Sequence, residues 1–152
     1  MRVLLIAVGR SRDRAIAELV ERYARRCPWP FETLEVQPRG RVDPHKLAAE
    51  EARLLLAAVP EGAAIIALDE HGELQDSQTF AHRLGALRDQ GRRCIAFLIG
   101  GADGHAPELL ARADLKLAFG RMTWPHEMVR VLLAEQVYRA TTILSGHPYH
   151  RG

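Results

Sequence analysis

CIAFLIGGADG, residues Cys94–Gly104, joins a continuous apolar run to a glycine loop. Six apolar residues without polar alternation indicate a strand that is buried on both faces, as in a parallel sheet covered by helices. Glycine has no Cβ, so this loop can bring main-chain N–H groups close to a ligand. Its spacing differs from the dinucleotide-binding and P-loop patterns and predicts neither site. A simple tight turn is the alternative interpretation of the loop.

Strands and helices alternate on both sides of this stretch. Ser11 is the predicted N-cap of the first helix, and Asp43 with Pro44 is predicted to begin the second. The other strands are predicted at residues 2–8, 31–36, 63–68 and 115–119, and the helices at 13–26, 43–59, 77–90, 107–113 and 125–144, with a loop at 69–73. This alternation predicts one α/β domain over residues 1–152, with a mostly parallel sheet and helices on both faces.

Composition narrows the class of protein. A chain of 152 residues with 47% hydrophobic residues can bury a sufficient core without a disulfide or a metal. The two cysteines, Cys27 and Cys94, are too far apart in sequence to indicate a metal or redox site. No segment is typical of a signal peptide or a membrane span, so a cytoplasmic protein with no membrane partner is expected.

Positive charge is concentrated at the start of the chain. Residues 1–46 contain ten Lys or Arg against six Asp or Glu, although the net charge of the whole chain is only +2. This asymmetry predicts a phosphate-contacting surface that includes Arg10, Arg12, Arg14, Arg39 and Arg41. A solvated surface of mixed charge is the alternative.

The last helix and the tail carry further signals. Only Arg130 interrupts the apolar run from Met128 to Ala134, and a helix that is apolar nearly all round must be covered on more than one side. A homodimer through this helix is therefore expected, with cover by flanking loops as the alternative. The tail His147–Arg151 offers stacking, proton transfer and phosphate contact, whereas a frayed terminus is the alternative. Its two histidines lack a third ligand nearby, so no metal site is predicted.

The order of these motifs closely resembles the RlmH family, bacterial ribosomal RNA large-subunit methyltransferases of the SPOUT superfamily. The resemblance spans the whole chain. It rests on these segments: Ala7-Val8-Gly9, Leu68-Asp69, Ile99-Gly100-Gly101 with Gly104, Pro125-His126, Val129–Leu132, Ala134-Glu135, Tyr138-Arg139-Ala140 and His147–Arg151. It implies a C-terminal trefoil knot, a homodimer, no appended RNA-binding domain, and S-adenosyl-L-methionine as cofactor. The implied reaction is methylation of N3 of a pseudouridine in 23S rRNA, preferably in the assembled ribosome.

The resemblance also implies the site residues. The cofactor site would comprise Leu68, Gly100, Gly101, Gly120, Arg121, Met122, Thr123, Trp124 and Pro125. Because N3 of the base carries a proton, a proton acceptor is expected, and His126, Glu135 and His150 are equal candidates. Arg130 and Arg151 would hold phosphate or stabilise negative charge, and Tyr149 would stack on the base.

Two other functions are compatible with the same pattern. One is a SPOUT methyltransferase that acts on tRNA. The other is a non-catalytic α/β dimer in which the glycine loop holds a nucleotide and the tail only seals an interface.

Overall fold

One parallel sheet of five strands, in the order β2-β1-β4-β3-β5, organises the computed structural model, which describes residues Met1–Gly152. The strands are β1 (Arg2–Val8), β2 (Phe31–Val36), β3 (Ala64–Leu74), β4 (Cys94–Ile99) and β5 (Leu115–Ala118). The helices are α1 (Arg14–Arg26), α2 (Leu47–Ala57), α3 (Ser77–Asp89), α4 (Pro107–Arg112) and α5 (His126–Ser145). The predicted α/β architecture is confirmed.

Helices cover both faces of the sheet, which explains why the inner strands are continuously apolar. Successive side chains of a strand point to opposite faces. Leu5 and Phe97 accordingly join the core layer under α3 and α5, whereas Leu4 and Leu98 join the layer under α2 and α4. A strand between two such layers has no solvent-facing side, so no polar alternation appears in its sequence.

Strand β3 is longer than the sequence predicted. Residues 69–73 belong to it rather than to a loop, and a bulge lets Leu117 of β5 pair with both Leu68 and Glu73. The backbones approach so closely that a Cβ on Gly72 would lie 2.7 Å from main-chain atoms of Leu117. Only one short strand pairs with this extension, so its residues are polar and are exposed or half-buried. The sequence there lacks the apolar run from which the other strands were predicted.

The N-cap of α1 also differs from the prediction. The Asp13 carboxylate accepts hydrogen bonds from the N–H groups of Ala15 and Ile16, so Asp13 rather than Ser11 caps the helix. The Ser11 hydroxyl instead donates to the carboxylate of Glu127, at 2.7 Å. Ser11 thus ties the loop after β1 to the beginning of α5.

Helix α2 begins at Leu47, four residues later than predicted. The Asp43 carboxylate accepts the N–H of His45 at 2.9 Å, which stabilises a turn before the helix. The Asp-Pro pair therefore begins a turn rather than the helix itself.

Parallel pairing places the carboxyl ends of all five strands at one edge of the sheet. The glycine loop after β4 and the Phe119–Pro125 segment after β5 both leave from this edge. So do the arginine-containing loops after β1 and β2. No helix is long and apolar enough to cross a bilayer.

Candidate active site

A cavity of about 360 Å³ lies at the carboxyl edge of the sheet. Three segments line it: Leu68–Glu70 of β3, the glycine loop with His105, and residues 117–124 together with the first turn of α5. The predicted cofactor-site residues that line this cavity are Leu68, Gly100, Gly101, Gly120, Met122, Thr123 and Trp124. Arg121 and Pro125 belong to the same segment but do not contribute to the lining.

The lining of the cavity combines apolar and acidic side chains. Leu68, Leu117 and Val129 are apolar lining residues, and Trp124, which is 41% exposed, adds a flat aromatic ring. Asp69 and Glu70 supply carboxylates. A flat apolar group that carries positive charge matches this combination of walls.

The segment after β5 is held over the cavity by a sharp turn and a side-chain contact. Gly120 has a φ of 125°, a conformation that side chains rarely adopt. The Thr123 hydroxyl donates to the Glu70 carboxylate at 3.4 Å. Together these features join the segment after β5 to the middle of β3.

The two leading glycines of the glycine loop pack closely against neighbouring side chains. The Gly104 N–H donates to the Gly101 carbonyl at 3.1 Å, which closes the turn. A Cβ on Gly100 would lie 3.1 Å from Nδ1 of His105, and one on Gly101 would lie 2.8 Å from the carboxylate of Glu51. The loop is therefore confined between an imidazole and a carboxyl group.

Sequence reasoning missed His105. Its Nε2 donates to the Leu98 carbonyl at 3.1 Å, which leaves Nδ1 as an acceptor beside Gly100. Burial lowers the pKa of His105, so the ring is neutral at neutral pH. Its position directly after the glycine loop was the only signal in the sequence that could have identified it.

The predicted catalytic residues lie in separate places within the chain. His126 lines the cavity. Arg130 is 3% exposed, and its guanidinium donates to Glu35 at 2.6 Å and to the Gly9 carbonyl at 2.9 Å. Arg130 thus pins the loop after β1, and its predicted role toward phosphate or negative charge stays a prediction.

The tail folds back onto α5 instead of fraying. Tyr149 donates its hydroxyl hydrogen to Glu135 at 2.9 Å, and its ring packs edge-on against Tyr138 with centroids 4.7 Å apart. The Arg139 guanidinium donates to Glu135 at 3.0 Å and to Nδ1 of His150 at 3.1 Å. Glu135 and Arg139, four residues apart on α5, thus form an ion pair within a larger cluster.

The protonation state of Tyr149 follows from its surroundings in this cluster. Burial and the hydrogen bond to Glu135 raise its pKa to about 12, so it is a neutral phenol at neutral pH. None of Glu135, Tyr149 and His150 lines the cavity, and Arg151 is exposed at the chain end. One chain therefore carries two chemically distinct sites: the cavity and the tail cluster.

Comparison with known proteins places the chain in a family. Residues 1–150 match the family described as predicted SPOUT methyltransferase. Ribosomal RNA large subunit methyltransferase H of Rhodospirillum centenum is 57% identical over 151 residues, and that of Paramagnetospirillum magneticum is 52% identical over 151 residues. Each alignment covers 99% of both chains.

Solved structures agree on the fold. A probable methylase family protein from Haemophilus influenzae superposes with a TM-score of 0.59 at 12% identity, over 99% of this chain and 70% of that one. A putative RNA methyltransferase from Bacillus anthracis gives a TM-score of 0.56 at 12% identity, over 97% and 96% of the two chains. These structures show the fold, and the family model and the full-length relatives confirm the resemblance seen in the motifs: the chain belongs to the ribosomal RNA large subunit methyltransferase H family of SPOUT methyltransferases.

Proposed function

We propose that this protein transfers a methyl group from S-adenosyl-L-methionine to N3 of a pseudouridine in 23S rRNA, with the assembled ribosome as its preferred substrate. The observation that carries the proposal is the cavity built from the three segments named above, in a chain with full-length relatives named for ribosomal RNA methylation. We also expect the segment after β5 to form part of a trefoil knot.

The cavity suits S-adenosyl-L-methionine. Leu68 and Trp124 offer apolar surfaces for a flat adenine, and the carboxylates of Asp69 and Glu70 suit the positive charges of the sulfonium and ammonium groups. The cofactor supplies a methyl group on a sulfonium centre, which leaves as a neutral thioether. The task of the chain is then to bind and orient, because such a transfer requires mainly in-line positioning.

The proton on N3 must leave the base during the reaction. Of the three candidate acceptors, only His126 lines the cavity of its own chain. Glu135 already accepts hydrogen bonds from Tyr149 and Arg139. Tyr149 is a neutral phenol whose hydrogen is donated to Glu135, so it cannot accept the proton of the base at neutral pH. His126 is therefore the acceptor that we test first.

A homodimer would bring the tail cluster of one chain to the cavity of the other. Supporting this arrangement, large apolar side chains are exposed around the cavity and along α5: Trp124 is 41% exposed, Met128 38% and Leu74 49%. An uncovered apolar surface of this kind is typical of an interface. Charged substitutions at Met128 and Leu74 should therefore give monomers in light scattering, with loss of methylation.

The RNA would lie along the carboxyl edge of the sheet. Arg10, Arg12 and Arg14 follow β1, and Arg39 and Arg41 follow β2. All five are exposed and leave the same sheet edge as the cavity. Arginines in this position can neutralise phosphates while the target base enters the cavity.

Methylation with labelled S-adenosyl-L-methionine tests the proposal directly. Assembled ribosomes, free 23S rRNA and tRNA are offered in parallel, and the modified nucleoside is identified by mass spectrometry. We expect label on pseudouridine N3 in ribosomes, and much less on free RNA. Label on tRNA would favour the tRNA enzyme, and cofactor binding without transfer to any RNA would favour the non-catalytic dimer.

A truncation separates the roles of cavity and tail. Deletion of residues 149–152 should abolish methylation and leave cofactor binding largely intact, because the deleted residues do not line the cavity. Full activity of the truncated chain would contradict the catalytic role proposed for the tail.

A further inference from the structure

Glu51 of α2 is a buried acid that none of the roles above uses. It is only 7% exposed and lies in the layer between α2 and the sheet, next to the buried Ala52. Its Oε1 atom has no hydrogen-bond partner. A buried polar atom without a partner costs stability, so its presence calls for an explanation.

The carboxyl group of Glu51 lies directly behind the glycine loop. Its two oxygens would be 2.8 and 3.0 Å from a Cβ on Gly101, so the main chain of the loop packs on this group. The same loop lines the cavity, whereas Glu51 does not. Glu51 can therefore affect the cavity through the loop.

The loop has matching groups that are also unpartnered. Its closing hydrogen bond uses the Gly104 N–H, whereas Ala102 and Asp103 are exposed and their N–H groups make no hydrogen bond within the protein. A buried acceptor without a donor thus lies beside a turn whose N–H donors are not used within the protein. A small movement of the turn would satisfy both sides, because main-chain N–H groups bond strongly to carboxyl oxygens.

We propose that Glu51 is a positioning residue for the cofactor, whose carboxyl accepts main-chain N–H groups of the Gly101–Asp103 turn when the cavity is filled. This inference rests on the proposed function, because it takes the cavity to be the cofactor site. The unsatisfied oxygen is then a cost that the free protein bears and the bound protein recovers. Removal of the carboxyl should stabilise the free protein and weaken binding.

The test measures the stability of the free protein and its affinity for S-adenosyl-L-homocysteine, which serves as the probe. Calorimetry gives its Kd, and thermal unfolding without ligand gives Tm, for the wild type, Glu51→Met and Glu51→Gln. Methionine has a similar length and no group that needs a hydrogen bond, so Tm should equal or exceed that of the wild type. Loss of hydrogen bonds to a carboxyl group should raise Kd about tenfold. Glutamine keeps an acceptor oxygen and should stay within about threefold of the wild type.

Glu50→Met is the matched control. Glu50 is the neighbouring acid on α2, but it is paired with Arg53 at the surface. Its replacement should leave Kd unchanged. Failure of the wild type to bind the probe would contradict the proposed function itself.

Three results would overturn the role of Glu51 while the wild type still binds. The first is an unchanged Kd in Glu51→Met. The second is a lower Tm in Glu51→Met together with weaker binding, which would assign Glu51 to folding alone. The third is a Glu51→Gln variant that binds as weakly as Glu51→Met, which would exclude the acceptor role.

Discussion

Tyr149 holds the C-terminal tail against α5, and its removal should release the tail. The hydroxyl donates to Glu135 at 2.9 Å, the ring meets Tyr138 edge-on, and the guanidinium groups of Arg26 and Arg139 lie 5.6 and 4.8 Å from the ring centre. Two substitutions separate these contacts. Tyr149→Phe removes only the hydrogen bond, and Tyr149→Ala removes every contact.

The size of each effect follows from the contacts. A half-buried hydrogen bond to a carboxylate contributes about 1.5 kcal/mol, so Tyr149→Phe should shift the ratio of docked to released tail about tenfold. The edge-on aromatic pair adds about 1 kcal/mol. The two cation–π contacts add about 0.5 kcal/mol each at this exposure. Tyr149→Ala should then cost about 3.5 kcal/mol and shift the ratio by a factor of several hundred.

Nuclear magnetic resonance relaxation of the backbone amides of residues 149–152 measures the order of the tail. Transfer of label from S-adenosyl-L-methionine to ribosomes measures methylation. We expect an ordered tail in Tyr149→Phe, and a mobile tail with little activity in Tyr149→Ala. Tyr23→Phe is the control, because the Tyr23 ring lies 6.2 Å from Tyr138 but makes no contact with Glu135 through a hydroxyl hydrogen bond. An ordered tail in Tyr149→Ala would refute the contact analysis.

Three further predictions concern the sheet, the RNA surface and pH. Gly72→Ala should destabilise the fold by about 3 kcal/mol, a Tm loss of roughly 6–12 °C, because its Cβ would meet main chain at 2.7 Å. Gly40→Ala is the control, because a Cβ there would meet no atom within 4 Å although the φ is 70°. It should cost only about 1 kcal/mol of stability, and equal losses of stability in the two variants would contradict the steric argument. Replacing Arg39 and Arg41 with Ser should weaken ribosome binding and flatten the slope of log affinity against log salt by about 1.5, whereas an unchanged slope would remove both from the RNA surface. Burial lowers the pKa of His105, so the imidazole binds a proton more readily in the unfolded chain than in the folded one. Urea unfolding should therefore show stability falling as the pH drops below 6.5, and this fall should be smaller in His105→Asn.

The core strands could be predicted because their environment is simple. Cys94–Ile99 is covered on both faces, and a continuous apolar run has few other stable arrangements in a chain of this size. The extension of β3 could not be predicted, since residues 69–73 are mostly polar and pair only with β5. Their strand conformation depends on the bulge and on the absence of a side chain at Gly72. Both matter only through contacts with β5, which the local sequence does not show.

The candidate site was partly predictable for a related reason. The glycine loop and the Gly120–Pro125 segment carry local signals, and their order along the chain identified the family. Glu51 carries none and His105 only its place after the loop, because a single acid on a helix or a single histidine has no characteristic spacing. The tail was chemically conspicuous, but its return to α5 depends on Gly146, which has a φ of 75° and reverses the chain.

The hydrogen bond between Ser11 and Glu127 has a consequence for biosynthesis. It joins residues that are 116 positions apart, and the same helix supplies Leu133 and Val137 to the core layer over β1 and β4. That core layer stays open until the last helix is available, so a nascent chain cannot complete its fold while those residues are inside the exit tunnel. Contacts this distant in sequence also slow the final step. The fold is therefore completed only once α5 has docked on the sheet.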